Sequence, residues 1–227
     1  HIAMRHHGYP QPADQGFDYT RNSRGVQCRM KPDRLTGFAT EAANDPYRLD
    51  ANGFPFDQTH HDAMAFLREN HTEPFFLYYA TWLVHTPIVM RSEGLLRKYE
   101  AKLGVTLTEA HKKNWKLEGQ TNPFYCAMVE QLDYYMGNLF EYLETTDDPR
   151  WPGHKLVENT YIIFTSDNGG MESSGPNQII TDNYPLDRGK ISAMEGGVRV
   201  PLIITGPGIR SGVQSDVMVN GLDFYPT

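Results

Sequence analysis

A long amphipathic segment between two apolar runs is the feature that most constrains the fold. From 122 to 144, apolar side chains recur at intervals of three and four, which is the period of one helix face. Asn122 and Pro123 supply a helix cap and a proline suited to the first turn. The flanking runs, 74–85 and 159–165, are rich in aromatic and β-branched residues and predict strands buried on both faces. This order predicts an α/β fold with a mainly parallel or mixed sheet flanked by helices.

The other predicted elements are short. They are three helices and two strands: 57–70, 92–103, 108–118, 200–205 and 217–220. Residues 1–56 are rich in Gly, Pro, Asn and Asp and are predicted to form loops. A chain of 227 residues, 39% of them hydrophobic, can bury one sizeable core. We therefore assign 1–227 to one α/β domain or a large part of one, with 1–56 rich in loops and 57–227 as its strand and helix core.

Composition excludes several classes of function. The net charge is -7 and no basic stripe is present, which argues against non-specific nucleic-acid binding. No apolar run approaches the ~18 residues of a membrane-spanning helix, so no membrane span is expected. Cys28 and Cys126 lie far apart and show neither metal-ligand spacing nor a disulfide framework. Because the net charge is negative, an anionic ligand would need a local cluster of cations.

Polar residues that could carry chemistry follow the predicted strands, where ligands gather in sheets of this kind. Asp167 and Asn168 offer hard oxygen ligands for calcium or magnesium, although Asn-Gly is also a common turn signal. His85 could donate a proton or hydrogen bond to an anion, or could satisfy a backbone carbonyl in the core. Lys190 could offer a point charge to a sulfate or phosphate oxygen, or could be a solvated loop lysine. The residues alone leave these alternatives open.

Four segments, in this order, resemble the formylglycine-dependent sulfatases of the alkaline phosphatase superfamily. They are PFFLYYATWLVHTP (74–87), NTYIIFTSDNGG (159–170), LDRGKISAMEGGVRVPLIITGPG (186–208) and VNGLDFYPT (219–227). The beginning, HIAMRHHGYPQPADQGFDYT, resembles the family's segment that starts at a histidine and runs into Gly-Phe-Asp. The resemblance implies an incomplete alkaline-phosphatase-like core and the hydrolysis of a sulfate ester.

The resemblance also implies roles for single residues. Asp167 and Asn168 resemble calcium ligands, with magnesium as the alternative ion. His85 and Lys190 resemble residues that contact the sulfate, one of which would help the leaving group to depart. His1 resembles the histidine that orients and deprotonates the nucleophile. The implied substrate is an organic sulfate ester, with a sulfated carbohydrate among the candidates.

Some parts of the family pattern are missing from the chain. The Cys/Ser-x-Pro-x-Arg motif that becomes formylglycine is absent, as are the aspartate pair that completes the calcium site and the smaller C-terminal subdomain. We therefore expect a central piece of a sulfatase whose formylglycine lies upstream, and an isolated chain without activity. By resemblance, the compartment is expected to be periplasmic, secreted or lysosomal.

Two other functions remain open at this point. A phosphodiesterase or phosphonate monoester hydrolase of the same superfamily would use the same metal corner with a Thr or Ser nucleophile. A non-catalytic homologue would bind sulfated glycans without turning them over. Tyr78 and Trp82 could line a sugar site, although aromatic residues on a core strand more often serve packing.

Overall fold

A computed structural model describes residues 2–3, 11–22, 35–112, 121–173 and 179–224. Within these ranges the chain forms four α-helices and five short strands. In chain order they are β1 (Ile2–Ala3), β2 (Arg21–Asn22), α1 (Gln58–Asn70), β3 (Tyr79–Ala80), α2 (Glu93–Leu103), α3 (Pro123–Thr145), β4 (Ile162–Thr165), α4 (Glu195–Val198) and β5 (Leu202–Thr205). Single 3-10 turns occur at Pro12–Gln15, Glu109–Lys112, Leu156–Asn159 and Gly221–Asp223.

The strands form one parallel and one antiparallel sheet. β1 lies between β2 and β3 and pairs with both in parallel, so that Ile2 is opposite Arg21 on one side and Tyr79 on the other. β4 and β5 are antiparallel, with Ile162 opposite Thr205. Helices combined with both kinds of strand pairing confirm the predicted α/β class.

Each of the three longer helices begins at a residue whose side chain caps its first turn. The Asn122 side-chain oxygen accepts hydrogen bonds from the backbone N–H groups of Phe124 and Tyr125, at 3.1 and 3.2 Å. Asp57 and Ser92 cap α1 and α2 in the same way. These contacts satisfy donors that a helix end leaves unpaired. The helices predicted at 57–70, 92–103 and 122–144 are therefore confirmed, with boundaries that agree to within about one residue.

One hydrophobic core joins α2 and α3 to two loop segments. Its buried members are Leu83, Ile88, Met90, Leu95, Leu96, Leu107, Phe124, Ala127, Met128, Tyr135 and Ile180. Leu83 and Ile88 flank the predicted site residue His85, and Ile180 follows β4 on the chain. Met171 packs against the same core. The core thus anchors the segment of His85 and the segment that follows Asp167 and Asn168.

The apolar run 74–85 is mostly not a strand. Only Tyr79–Ala80 pairs with a neighbour, and the Phe76 side chain is 72% exposed. The chain then turns, and the backbone N–H of His85 donates to the carbonyl of Trp82 at 2.8 Å. A strand persists only where a neighbouring strand offers hydrogen bonds, and among the described residues Ile2 and Ala3 of β1 are the partners of this run. The prediction of a long, fully buried strand was therefore wrong outside these two residues.

The strands at 159–165 and 200–205 are confirmed in position but not in burial. β4 begins at Ile162, after a 3-10 turn, and β5 at Leu202. Side chains on both faces are solvent-accessible: Ile163 is 49% exposed and its neighbour Phe164 is 38% exposed. Neighbouring residues on a strand point to opposite faces, so neither face of this two-stranded sheet is fully covered. The prediction that these strands are buried was wrong.

Two weaker predictions also differ from the structure. Residues 217–220 form no strand, and Met218 is 94% exposed with no ladder partner. Of the helix predicted at 108–118, Glu109–Lys112 forms one 3-10 turn, and 113–118 lie outside the described residues. In the part of the chain that the structure describes, no helix is both long and apolar enough to cross a membrane.

Candidate functional site

The predicted metal ligands lie in a turn directly after β4, which we call the strand-end corner (residues 165–170). The Ser166 hydroxyl donates to the Asn168 carbonyl at 2.8 Å and fixes this turn. The Asn168 amide nitrogen donates to the Gly169 carbonyl at 3.1 Å, so its side-chain oxygen makes no hydrogen bond to a described residue. The exposed Asp167 carboxylate likewise has no hydrogen-bond or ion-pair partner among these residues. Both oxygens are therefore free to bind a hard cation.

Glycines allow three backbone segments to meet beside these oxygens. The five glycines at the junction are Gly169, Gly170, Gly189, Gly196 and Gly197. A Cβ atom on Gly169 would lie 1.7 Å from the carbonyl oxygen of Gly196, and one on Gly196 would lie 1.8 Å from that of Arg188. A backbone oxygen cannot rotate away as a side chain can. Only glycine therefore fits at these contacts, where the end of β4, the loop at 186–192 and α4 meet.

Lys190 is joined to the strand-end corner through backbone hydrogen bonds. Its N–H donates to the Gly170 carbonyl at 2.9 Å, and the Asn183 amide donates to the same oxygen at 3.0 Å. On the other side of the junction, the Gly169 N–H donates to the Gly197 carbonyl at 3.0 Å. The half-buried Lys190 side chain has no ion pair with any described residue. Its positive charge is therefore available to an anion next to the corner.

His85 lies in a tight turn that orients its ring. Its Nδ1 lies 2.9 Å from the Thr86 carbonyl oxygen and 3.2 Å from the Thr86 hydroxyl. A carbonyl can only accept, so Nδ1 carries the proton in this contact. Nε2 makes no hydrogen bond to a described residue. The Trp82 indole packs on the imidazole, with ring centroids 4.3 Å apart.

The structure brings three of the predicted site residues together and leaves two apart. Asp167, Asn168 and Lys190 meet at the glycine junction, through the contacts given above. No hydrogen bond, ion pair or ring contact of the described residues joins His85 to any of these three; it shares only the underlying core with their segment. His1 lies outside the described residues.

The donor set at the corner fits calcium by type but not by number. Calcium takes six to eight oxygen ligands in proteins, and magnesium takes six. Asp167 and Asn168 supply a carboxylate and an amide oxygen. Among the residues that the structure describes, no group of three or more His, Cys, Asp or Glu side chains is placed to hold a metal ion. The pair therefore fits as part of a calcium shell that further ligands would have to complete.

His60 is a half-buried ionisable group that no motif marked. Its ring stacks on Tyr135 with centroids 4.4 Å apart, and its Nδ1 is buried without a hydrogen-bond partner. Burial, followed by the positive charge of Arg68, lowers the pKa of His60 to about 4. Helical spacing could have indicated its burial, because His60 lies three residues before Ala63 and seven before Leu67 and so shares the buried face of α1. We assign His60 to packing between α1 and α3.

Comparison with known proteins finds relatives along most of the chain. The family model described as Sulfatase matches residues 3–227. A sulfatase of Formosa agariphila is 39% identical over 165 residues, which are 70% of this chain and 26% of that protein. Arylsulfatase K of Gallus gallus is 34% identical over 104 residues, 46% of this chain and 16% of that protein. N-acetylgalactosamine-6-sulfatase of Mus musculus is 28% identical over 169 residues, covering 73% of this chain and 26% of that protein.

A solved structure is also similar. The crystal structure of Ps i-CgsB in complex with k-i-k-neocarrahexaose matches 69% of this chain and 30% of that one, with 29% sequence identity and a TM-score of 0.47. The chain spans about a quarter or less of the length of the curated relatives named above, between 16% and 26%. Because the family model matches all but the first two residues, the chain belongs to the sulfatase family.

Proposed function

We propose that this chain is part of a sulfuric ester hydrolase and carries side chains that hold the sulfate oxygens. One observation carries the proposal: in a member of the sulfatase family, a backbone hydrogen bond joins the loop of Lys190 to the turn of Asp167 and Asn168. The Lys190 N–H lies 2.9 Å from the Gly170 carbonyl oxygen. A lysine and two oxygen ligands held side by side suit the binding of a cation and an anion at one place.

The proposed metal is calcium, with magnesium as the smaller alternative. Asp167 and Asn168 would hold it through the two oxygens that have no partner among the described residues. When bound, the ion would supply positive charge to the sulfate oxygens during transfer. The nucleophile would be a formylglycine, derived from Cys or Ser, on a segment outside these 227 residues. The isolated chain is therefore expected to be inactive.

The remaining roles follow from side-chain chemistry. Lys190 would hold a sulfate oxygen as a point charge. In its imidazolium form, with both nitrogens protonated, His85 would donate the proton of Nε2 to the leaving oxygen and keep the Nδ1 proton on the Thr86 carbonyl. His1 would orient and deprotonate the nucleophile. Bringing His85 to the same sulfate as Lys190 requires a substrate that lies between their two segments.

A sulfated sugar is the proposed substrate class. Several relatives, including N-acetylgalactosamine-6-sulfatase and N-acetylglucosamine-6-sulfatase, are named for sugar sulfates. A periplasmic, secreted or lysosomal compartment, where such polymers occur, stays a prediction.

The test measures hydrolysis by the protein expressed from the whole gene. Sulfate monoesters should be turned over faster than phosphodiesters such as bis(4-nitrophenyl) phosphate. Lys190→Ala and Asp167→Ala should each lower kcat/KM on the sulfate by about 100-fold or more, because the first removes a positive charge from the sulfate oxygens and the second removes a ligand of the ion that would supply one. The matched control is Asp187→Asn, an exposed acidic side chain in the same loop as Lys190, which should keep the wild-type rate.

Three results would overturn the proposal. Faster turnover of the phosphodiester would assign the site to a phosphodiesterase. Binding of a sulfated glycan without turnover of any ester would assign the protein to the non-catalytic homologues. Full activity of Lys190→Ala would remove this lysine from the site. Turnover of an aryl sulfate by the purified 227-residue chain would contradict the expectation that the nucleophile lies elsewhere.

A further inference from the structure

Two turns of the chain have the same Trp-x-x-His pattern and are closed by the same backbone hydrogen bond. In the first, the His85 N–H donates to the Trp82 carbonyl at 2.8 Å; in the second, the His154 N–H donates to the Trp151 carbonyl at 3.1 Å. In both turns the indole packs on the imidazole, with centroids 4.3 Å apart in the first and 3.6 Å in the second. The chain thus contains an internal comparison for the turn that holds the proposed proton donor.

The two turns differ in what holds the imidazole nitrogen. His154 Nδ1 lies 2.9 Å from a carboxylate oxygen of Glu158, which attracts the ring by charge as well as by a hydrogen bond. His85 Nδ1 lies 2.9 Å from the neutral Thr86 carbonyl, with the Thr86 hydroxyl at 3.2 Å. A neutral hydrogen bond is the weaker restraint, so the orientation of His85 depends more on the ring packed against it.

That dependence has a consequence for Nε2. Rotation of the imidazole about its bond to Cβ would exchange the positions of the ring atoms and turn Nδ1 away from Thr86. The indole of Trp82 lies against the face through which the ring would have to swing. Trp82 therefore keeps Nδ1 on the carbonyl and leaves Nε2 as the nitrogen that a substrate can reach.

We propose that Trp82 is a positioning residue for His85: its indole fixes the imidazole orientation in which Nε2 can face the leaving oxygen. The inference rests on the proposed function for its catalytic meaning, but the orientation itself can be measured without activity. When the sulfur–oxygen bond breaks, the bonding electron pair stays on the leaving oxygen, and that oxygen takes the Nε2 proton of the His85 imidazolium, which leaves the neutral ring protonated on Nδ1. Trp82 touches the histidine and has no part in the transfer itself.

The first measurement is the tautomer of His85 in the 227-residue chain, read from imidazole nitrogen shifts by NMR. The wild type should show the Nδ1-protonated tautomer at a pH where the ring is neutral. Trp82→Leu should shift His85 towards a mixture of tautomers, whereas Trp82→Phe, which keeps a flat ring, should retain the wild-type signal. Trp82→Met, which has bulk but no ring, gives the same comparison should Trp82→Leu fail to fold.

The matched control is Trp151→Leu. It removes the indole from the second turn and should leave the His85 signal unchanged. His154 should keep its Nδ1 proton in this variant, because Glu158 holds it by charge. An unchanged His85 tautomer in both Trp82→Leu and Trp82→Met would overturn the proposal.

The second measurement uses the leaving-group dependence of the whole gene product. 4-Nitrophenolate departs readily without a proton, whereas the alkoxide of an alkyl or sugar sulfate needs one. Trp82→Leu should therefore lower kcat on an alkyl or sugar sulfate about tenfold more than on 4-nitrophenyl sulfate, with little change in KM. Equal losses on both substrates would show a merely structural role and overturn the proposal. A wild-type protein without sulfatase activity would instead count against the proposed function, and the tautomer measurement would still decide the role of Trp82.

Discussion

Replacing Gly169 with alanine tests the packing that positions the proposed metal ligands. The new Cβ atom would lie 1.7 Å from the Gly196 carbonyl oxygen and 3.1 Å from the Gly197 Cα, whereas ordinary contact begins near 3.4 Å. α4 cannot retreat to make room, because Gly196 itself touches the Arg188 carbonyl: a Cβ there would be 1.8 Å from that oxygen. The strand-end corner would have to move away from α4 and lose the hydrogen bond from the Gly169 N–H to the Gly197 carbonyl, now 3.0 Å long.

The expected cost is the sum of two effects. Overpacking a close contact costs about 1–3 kcal/mol. Loss of the backbone hydrogen bond adds about 0.5–1.5 kcal/mol. We therefore expect Gly169→Ala to lower the free energy of unfolding by about 2–4 kcal/mol.

Urea unfolding of the 227-residue chain, followed by far-UV circular dichroism, measures this change. The matched control is Gly137→Ala, an exposed position inside α3 where a Cβ atom meets nothing within 4 Å. Alanine is the better helix former, so this control should raise the free energy of unfolding by about 0.5–1 kcal/mol. The packing argument fails if Gly169→Ala unfolds within about 0.5 kcal/mol of the wild type while the control behaves as expected.

Three further outcomes are expected. The pKa of His60, lowered from 6.5 to about 4 by burial, means that the unfolded chain takes up a proton before the folded one as the pH falls. The contribution of His60 to the free energy of unfolding is therefore fully present above pH 6.5 and declines by about 3 kcal/mol towards pH 4. His60→Gln should remove this decline, whereas the variant of its exposed neighbour, His61→Gln, should not. Urea unfolding midpoints measured as a function of pH check both variants. Asn122→Ala should cost about 1–2 kcal/mol in the same assay, and Asn122→Ser, which can still cap α3, should cost less; equal losses would argue against the cap. Calorimetry of the isolated chain should find calcium binding with a dissociation constant of about 1 mM or weaker. Asp167→Ala should abolish this binding, and Asp187→Ala should not. Tight binding by the wild type would show that other residues complete the calcium shell.

The helices were predictable because their signals are local. The stripe of apolar residues in α3 and the cap at Asn122 lie within a few residues of each other, and each needs only its own turn of helix to act. The same holds for Asp57 and Ser92 at the other two helices.

The strands were less predictable because a strand depends on its neighbours. The run 74–85 has the composition of a buried strand, yet within the described ranges only Tyr79–Ala80 finds a ladder partner. Composition also did not reveal that Ile163 and Phe164 are both exposed, because exposure depends on what packs on each face of the sheet. Neither the ladder partners nor the covering layers can be read from the segment itself.

The resemblance named candidate residues but gave no indication of how their segments are joined. The resemblance placed Asp167, Asn168 and Lys190 in one site, and the structure brings these three residues together. The direct contact between Gly169 and Gly196, 27 positions apart in the sequence, is what joins them. An isolated Gly-Gly pair gives no indication of which backbone segment it will meet, so this contact had to be seen in three dimensions.

The two halves of the candidate site are held by different means, and this bears on how they would act. Asp167, Asn168 and Lys190 are fixed by backbone contacts that leave no room for even a methyl group at Gly169, so their spacing is set by the main chain. His85 is instead held by its own turn: its Nδ1 faces the Thr86 carbonyl and the Trp82 indole packs on its ring. A metal, an anion and a proton donor all need fixed positions relative to the reacting atoms. In the proposed chemistry the main chain therefore sets the positions of the charges, whereas the orientation of the proton donor depends on one replaceable side chain, Trp82.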